Sequence, residues 1–450
     1  MDEPEARKHL EKVLELAKKA GADEAEASLG GGYFALTRFA ENAIHQNVAE
    51  DGLELSVRVA LGKRTGRSTT RKVDATGVEG CVETAVAIAK LAPEDPELLP
   101  VQEPQKYVPV EASDPVTRGD TPQARAEAVK KIVDACAARG AKAAGAVRVQ
   151  DGSFEWYGDY GEFALANTRG LHAYHKPTNA SVTVTVQKGD ASGWATADSW
   201  AKSEVDPVAV GARALEKALA AQDPKDLEPG KYTVLLEPAA VAELMWSLGD
   251  GFSAQAVDEG RSFLCDRLGR KIGAESVTLV DLYAHPLVRG RHFDGEGTAR
   301  KRVVLVEKGV QKGLVHDRKT AAKMKAEPTG HAPRQPSSWG PHPGAVVFEG
   351  TKATDEELLA KVDKGILVTR FWYTNTVDER QAILTGMTRD GTFFVEGGKV
   401  KHAVRNLRFN QSLLELLENV VAIGASRRMM GTVVPPLVVK GFHFASATKF

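Results

Sequence analysis

The histidines are the first candidates in this sequence for a reactive or metal-binding site, because eleven are present. A zinc-peptidase helix of the His-Glu-x-x-His type places two imidazoles one turn apart, and its glutamate polarises a bound water. No two histidines of this sequence stand four positions apart. His172 and His175 stand three apart in a strand-like segment, which directs their rings to opposite faces. We therefore expect both to be surface histidines and assign neither to a metal.

A second group of candidates lies in one long loop, residues 327–344, with the sequence EPTGHAPRQPSSWGPHPG. Long irregular loops inside compact domains are more often functional than inert, so we expect this loop to border a peptide cleft. Its candidate cleft residues are His331, Arg334 and His342. The guanidinium of Arg334 could donate twice to a peptide carboxylate or carbonyl, or it could form an ordinary surface ion pair. The sequence leaves both interpretations open.

Motifs for nucleophilic and phosphate chemistry are missing. The sequence contains no Gly-x-Ser-x-Gly elbow and no Gly-x-x-x-x-Gly-Lys-Ser/Thr loop. The loop carboxylates Asp294 and Glu296 fit the usual pattern of solvated or capping groups. Cys81, Cys136 and Cys265 lack Cys-x-x-Cys spacing, which predicts neither a disulfide framework nor a cysteine zinc site. We expect the first two in the core, give the third no role, and assign no catalytic residue and no metal ligand.

Composition limits the class of protein. The chain has 450 residues, 59 Lys+Arg against 60 Asp+Glu and a net charge of −1, which argues against a strongly basic nucleic-acid-binding protein. Hydrophobic residues make up 42%, enough for full-sized cores, but no apolar run reaches the ~20 residues of a membrane span. The charged start of the chain lacks the apolar core of a signal peptide. We therefore expect a cytoplasmic protein that binds neither nucleic acid nor membrane.

The elements that must position the candidate side chains follow a repeated order in the first half. A helix gives way to strand-like segments with turn glycines between 25 and 70, and a second helix ends before Pro93. The same order recurs as a helix at 121–139, strand-like segments and a helix at about 206–221. The recurring strand-like segments are 144–157, 161–170, 180–188 and 191–199. This recurrence predicts a duplicated unit.

A boundary is predicted at 223–232, where DPKDLEPGKY combines two prolines, a glycine and charges. We therefore predict an N-terminal domain at 1–225, with repeats at about 1–100 and 121–225, and a C-terminal domain at 226–450. The C-terminal part is strand-rich, and its final strand is expected at 432–440. The predicted fold class is α+β, with a duplicated helix–antiparallel strands–helix half followed by a strand-rich α+β domain.

Several separated motifs occur in the order typical of the TldD/PmbA family, which is also known by the label "modulator of DNA gyrase". Residues 292–323, HFDGEGTARKRVVLVEKGVQKGLVHDRKTAAK, resemble that family's DxEGT…LIExGxLKGxLHDxxTA signature. Residues 329–334 resemble its Gly-Asn-x-Arg-Arg loop, and 386–399 resemble its C-terminal hairpins. Residues 58–70 are similar to a strand pair of its first half. The resemblance covers nearly the whole chain and implies a peptidase-related protein.

The resemblance also identifies a departure from the family's zinc peptidases. TldD-type members carry His-Glu-x-x-x-His on the helix before a Gly-rich loop, and a cysteine ligand near the C-terminus. In this chain the helix segment 237–252 keeps Glu243 but has no histidine, and 424–444 has no cysteine. The resemblance therefore implies a PmbA/TldE-like subunit without a cofactor of its own, paired with a TldD-like catalytic subunit that holds zinc. The pair would hydrolyse unfolded or small peptides, and the chain alone could form a homodimer.

Two other functions stay open at this point. One is a self-sufficient hydrolase that uses a loop site at His331 and His342. The other is a protein-interaction module of the gyrase-modulator type, for which the near-zero net charge disfavours direct DNA binding.

Overall fold

A computed structural model describes residues 1–153 and 161–448. Its helices are α1 (Glu3–Lys19), α2 (Ala75–Leu91), α3 (Pro115–Arg118), α4 (Pro122–Ala137), α5 (Pro207–Ala220), α6 (Pro238–Asp250), α7 (Ala254–Asp258), α8 (Arg318–Met324), α9 (Asp355–Leu359) and α10 (Leu413–Glu418). Side-chain caps fix several of the starts: Asp2 accepts from the Glu5 N–H at 2.9 Å, and Asp317 accepts from the Thr320 N–H at 2.7 Å. Among these described residues, no helix has the length and apolar composition needed to cross a membrane.

The N-terminal half is built on one antiparallel sheet. Its strands are β1 (Glu24–Ala40), β2 (Ala43–Leu61), β3 (Arg64–Thr70), β4 (Lys142–Ser153), β5 (Glu162–Asn167), β6 (His172–Tyr174), β7 (Thr178–Lys188) and β8 (Ala191–Ser199). The spatial order is β3-β2-β1-β4-β7-β8, while β5 pairs with β1 beyond the end of β4 and β6 pairs with β5. The long strand β1 therefore joins the two halves of the sheet. The predicted strand at 144–157 extends past Ser153 into residues that lie outside the described ranges.

Two hydrophobic cores lie on this sheet. Helices α1 and α2 pack on β1, β2 and β5 around buried residues such as Leu10 and Val57. Helices α4 and α5 pack on β4, β7 and β8 around residues such as Ile132 and Val184. Burial of these apolar faces is the main favourable term in each unit. The helix–strands–helix order therefore occurs twice, as the sequence predicts.

The predicted turn glycines at 30–32 instead lie inside β1, which is a continuous strand of 17 residues. Gly32 has a φ of +132°, and a Cβ added there would lie 2.2 Å from the carbonyl oxygen of Asp151 in β4. Only glycine tolerates both that backbone conformation and that approach. The glycines therefore allow β1 and β4 to come close together, and they do not end a strand.

The C-terminal half contains two sheets. Its strands are β9 (Gly230–Leu236), β10 (Leu279–Asp281), β11 (Val303–Glu307), β12 (Val310–Gln311), β13 (Val346–Phe348), β14 (Lys364–Asp378), β15 (Ile383–Glu396), β16 (Lys399–Ala403), β17 (Leu407–Ser412), β18 (Val420–Ile423), β19 (Arg427–Met429), β20 (Thr432–Val434) and β21 (Leu437–Ala447). One sheet has the order β12-β11-β10-β13-β20-β19. The other has the order β14-β9-β21-β17-β15-β16, and an additional pairing of β14 with β15 closes five strands into a ring.

The C-terminal half combines helices and strands around its own core, in agreement with the α+β class that the sequence predicts. Phe371, Phe409 and Phe442 pack against one another in this core, which the apolar face of α6 also lines. The single final strand predicted at 432–440 is wrong, because β20 and β21 belong to different sheets. Pro435 and Pro436 separate them, and proline has no N–H with which to continue a ladder.

Candidate functional site

The long loop at 327–344 lies where the two halves of the chain meet. Nε of Arg67, on β3, donates to the carbonyl oxygen of Gln335. Nη1 of Arg334 lies 3.5 Å from Oε1 of Glu54, on β2. The loop that was expected to border a cleft therefore contacts the N-terminal sheet directly.

Asp294 joins the 294–298 turn to this loop. Its Oδ1 accepts hydrogen bonds from the N–H groups of Glu296 (2.9 Å) and Thr298 (2.8 Å), and its Oδ2 accepts one from the N–H of Ala332 (2.9 Å). The residue is buried. The prediction of a solvated or capping group is therefore half wrong: Asp294 binds backbone N–H groups as a cap does, but away from solvent.

His331 is paired with Asp281, the last residue of β10. The Nε2 atom of His331 lies 2.9 Å from Oδ1 of Asp281, and neither side chain is exposed. Oδ2 of Asp281 accepts from the N–H groups of Gly344 and Ala345, each at 2.8 Å. Burial raises the pKa of Asp281, but His331, Arg300 and the N–H of Ala345 together bring it down to about 2. Because its ring is buried, His331 holds the loop in place and does not face a cleft.

Glu296 is a buried carboxyl group whose pKa is raised to about 8. Burial is the main cause, and the neighbouring carboxylate of Asp294 adds to it. Its Oε2 accepts from the N–H of Arg318 at 3.2 Å. The residue is only 9% exposed, so the expectation that it is solvated is wrong.

Arg334 belongs to a cluster of opposite charges at the junction. Its Nε lies 3.9 Å from Oε1 of Glu162, whose other oxygen, Oε2, lies 3.4 Å from Nη1 of Arg291. Burial raises the pKa of Glu162, and the surrounding arginines Arg291, Arg334 and Arg67 oppose that shift. The side chain of Arg334 stays 32% exposed. Arg334 therefore forms ion pairs, as one of its two interpretations predicts, and its side chain is still partly exposed.

His342 lies on the outer part of the loop. The residue is exposed, and its N–H donates to the carbonyl oxygen of His331 at 3.3 Å. Of the three candidate cleft residues, Arg334 and His342 thus reach solvent from one loop, whereas His331 anchors that loop from inside.

The prediction that His172 and His175 are surface histidines is wrong. The side chain of His172 is only 8% exposed. His175 is 6% exposed and its ring packs edge-on against His292, with 5.5 Å between ring centroids. Burial, together with His292 and Arg291, lowers the pKa of His175 to about 3, and burial with Arg291 lowers the pKa of His292 to about 4. The rings of His175 and His292 are therefore neutral at physiological pH, and they pack against each other at the junction between the halves.

Sequence reasoning missed Asp281, Glu162 and Arg67. Asp281 gave a weak signal, because it is a charged residue at the end of the apolar run VTLV. Glu162 and Arg67 gave none, because their partners lie far away along the chain. Cys81 and Cys136 are buried, as predicted, and Cys265 is half-buried.

Helix α6 stands where the resemblance implies a zinc motif. Its only charged side chain before the last residue is Glu243, whose Oε1 accepts from the Thr374 hydroxyl at 3.1 Å. Burial raises the pKa of Glu243 despite that hydrogen bond and the nearby Arg370. Within residues 1–153 and 161–448, no three His, Cys, Asp or Glu side chains are grouped so that they could hold a metal ion. A zinc ion does not fit this donor set.

Fold and site together define a two-part α+β protein whose two halves meet at the loop 327–344. The PmbA/TldA metallopeptidase C-terminal domain model matches residues 229–446, and the central domain model of the same family matches residues 121–222. The chain belongs to the PmbA/TldD family.

Individual relatives are distant. A "Metalloprotease" of Methanothermobacter thermautotrophicus is 27% identical over 228 residues, which cover 49% of this chain and 48% of the relative. A Methanocaldococcus jannaschii relative is matched over 47% of its length, so the chain spans about half the length of these relatives. A "Metalloprotease PmbA homolog" of Haemophilus influenzae is 23% identical over 94% of this chain and 91% of its own length.

Solved structures share the fold. TldE from Thermococcus kodakarensis superimposes with a TM-score of 0.85 at 22% identity, over 97% of this chain and all of that one. A Thermotoga maritima protein described as a candidate modulator of a DNA gyrase has a TM-score of 0.82 at 22% identity, over 98% of this chain and all of that one.

Proposed function

We propose that this chain is the non-metal, TldE/PmbA-like subunit of a cytoplasmic heterodimeric peptidase. A TldD-like partner supplies the zinc and the hydrolytic step, and the substrates are unfolded or small peptides. The observation that carries the proposal is the donor set of α6: the family's C-terminal domain is matched from 229 to 446, yet this helix carries Glu243 and no imidazole.

The role of this chain in such a pair is to bind and orient peptide. The loop at 327–344 is anchored by Asp281 and Asp294 and presents Arg334 at the edge of the N-terminal sheet. A partly exposed guanidinium can donate to a peptide carbonyl or carboxylate while it retains its ion pair. His342 adds a second polar side chain to the same exposed rim.

The test is to measure bound metal and peptidase activity in the purified chain, alone and mixed with a TldD-type subunit. We expect no stoichiometric zinc and no cleavage by the chain alone, a stable heterodimer in the mixture, and more cleavage there than with the TldD-type subunit by itself. Tightly bound zinc with activity in the isolated chain would overturn the proposal and favour the self-sufficient hydrolase.

Controls separate the remaining alternatives. A mass measurement of the isolated chain decides whether it forms a homodimer. Capture from a cell extract tests the interaction-module alternative, because recovery of gyrase without any TldD-like chain would contradict the proposed partner.

A further inference from the structure

Strand β2 has a long open edge. It pairs with β1 from Ala43 to Ala60, whereas β3 covers its other side only from Leu55 to Leu61. No described strand pairs with residues 43–54 on the side away from β1. Main-chain N–H and C=O groups along that edge can therefore pair with another strand.

Apart from one bulge near its start, this edge lacks the usual devices that protect an edge. Natural sheets protect exposed edges with proline, lysine, bulges or a covering element. The sequence of residues 43–54, AIHQNVAEDGLE, contains neither proline nor lysine. The pairing of β1 with β2 has one irregularity: Phe39 pairs with Ile44 and Arg38 pairs with Gln46, so β2 carries one extra residue near the start of this edge. From Gln46 to Glu54 the pairing is regular, and this part of the edge can take an added strand.

An apolar groove runs beside the same edge. It has a volume of about 320 Å3 and lies between β2 and α4. Ile44, which is 43% exposed, forms the β2 wall, and Ala126, Val129 and Val133 form the helix wall. The Oδ1 atom of Asn47 accepts from Arg125 of α4 at 3.3 Å, so this face of β2 is the one that faces the helix. Since side chains alternate along a strand, every second residue of an added strand would point to the α4 side, and those beside Ile44 would enter the groove.

The charge along this edge is negative. Residues 43–54 contain Glu50, Asp51 and Glu54 but no lysine or arginine. Glu50 and Asp51 are exposed, and neither forms an ion pair with a described residue. On the helix side, the charge of Lys130 is met by Asp134, 2.5 Å away. A ligand with basic side chains therefore complements this edge.

We propose that the edge of β2 from Ala43 to Glu54, together with the α4 groove, binds an extended peptide with apolar side chains at alternate positions and lysine or arginine between them. The peptide backbone adds a strand to the sheet, apolar side chains on the α4 side enter the groove, and basic side chains on the opposite side approach Glu50. This site needs neither zinc nor a partner subunit, so it stands or falls separately from the peptidase role.

The test uses the full chain and a fluorescein-labelled, end-capped nonapeptide that alternates valine with lysine. Fluorescence anisotropy should show saturable binding. The substitution Ile44→Asp should weaken it by about tenfold or more, a loss of at least ~1.4 kcal/mol. The matched control is Ile88→Asp on α2, because Ile88 is also 43% exposed but lies in the other core unit. A peptide with glutamate in place of lysine should bind at least about tenfold more weakly.

Hydrogen exchange locates the bound peptide, which should slow amide exchange within residues 43–54. The absence of saturable binding, equal losses in the two isoleucine variants, or protection confined to other segments would overturn the proposal. So would a wild-type dimer that Ile44→Asp converts to a monomer, because a second copy would then occupy the edge. If Ile44→Asp fails to fold, Glu50→Lys tests the charge at an exposed position and should weaken binding of the lysine peptide.

Discussion

The Oδ1 atom of Asp281 lies 2.9 Å from Nε2 of His331, with both side chains fully buried. The other oxygen of the same carboxylate accepts from the N–H groups of Gly344 and Ala345. One carboxylate therefore holds both ends of the loop segment that presents Arg334 and His342. The position of those two side chains depends on an anchor that they do not themselves contact.

Loss of the Asp281 charge should destabilise the fold. Removing one member of a buried, paired set typically costs about 3–5 kcal/mol, because the remaining groups stay buried without their partner. We expect Asp281→Asn to lower the free energy of unfolding by about 3 kcal/mol in urea denaturation. The control is Asp355→Asn, since Asp355 pairs with Arg427 at 44% and 36% side-chain exposure, where a pair contributes less than about 1 kcal/mol. Equal effects in the two variants would contradict the anchoring role.

Glu296 should make the protein less stable as the pH rises. Its pKa is about 8 in the folded state, against about 4.3 in an unfolded chain. The folded state therefore binds one more proton than the unfolded state between these values, and stability falls as the pH rises from about 4.3 to 8. Glu296→Gln removes this titration and still offers an oxygen to the Arg318 N–H.

Thermal unfolding at pH 5.5 and pH 8.5 measures the effect. The melting temperature of the wild type should drop more between the two pH values than that of Glu296→Gln. The exposed Glu307→Gln serves as the control and should behave like the wild type. An identical drop in Glu296→Gln and the wild type would show that Glu296 is charged at neutral pH.

Much of the fold could be predicted from local patterns in the sequence. The helix–strands–helix repeat was predictable because apolar periodicity within α1, α2, α4 and α5 is encoded by neighbouring residues. The burial of Cys81 and Cys136 followed from the same periodicity. The irregular composition of 327–344 likewise marked a loop, and that loop now lies at the junction of the two halves.

The electrostatics of the junction could not be predicted in this way. His175 is buried because the segment that carries His292, more than a hundred residues later, covers it. Glu162 meets Arg291 and Arg334 only after the two halves assemble. Interactions of this kind depend on tertiary contacts between remote segments, for which a single sequence has no spacing rule. Strands β20 and β21 show the same limit, because their apolar runs look continuous while their partners lie in different sheets.

Arg334 should affect peptide use more than stability. Its ion pairs with Glu54 and Glu162 span 3.5 and 3.9 Å, and its own side chain is 32% exposed. The buried Glu162 keeps Arg291 at 3.4 Å as a second partner, so the loss should cost only about 1 kcal/mol. In a mixture with a TldD-type subunit, we expect Arg334→Gln to raise the KM for peptide by about tenfold, equivalent to ~1.4 kcal/mol of binding. Arg334→Lys should restore little of the lost peptide binding, because lysine lacks the planar fork of donors. The exposed Arg302→Gln is the control, and an unchanged KM in Arg334→Gln would remove this residue from the cleft.

Arg428 should be the main polar link between the two halves of the chain. Its Nε lies 2.6 Å from Oδ2 of Asp198 on β8, and its Nη1 donates to the carbonyl oxygens of Leu287 (2.7 Å) and Val288 (3.0 Å). The side chain is 16% exposed. Arg428→Ala removes the cation that pairs with Asp198, which among the described residues then keeps only the N–H donors of Met430 and Gly431. We therefore expect the free energy of unfolding to fall by about 3 kcal/mol.

Differential scanning calorimetry tests whether that link couples the halves. Arg428→Ala should split one unfolding transition into two, because each half keeps its own hydrophobic core. The neighbouring Arg427→Ala is the matched control on the same strand, since Arg427 pairs with the half-exposed Asp355 within the C-terminal half, and it should cost less than about 1 kcal/mol. A single transition and a small loss in Arg428→Ala would mean that apolar contacts such as Leu165 and Leu171 against Phe293 hold the halves together instead.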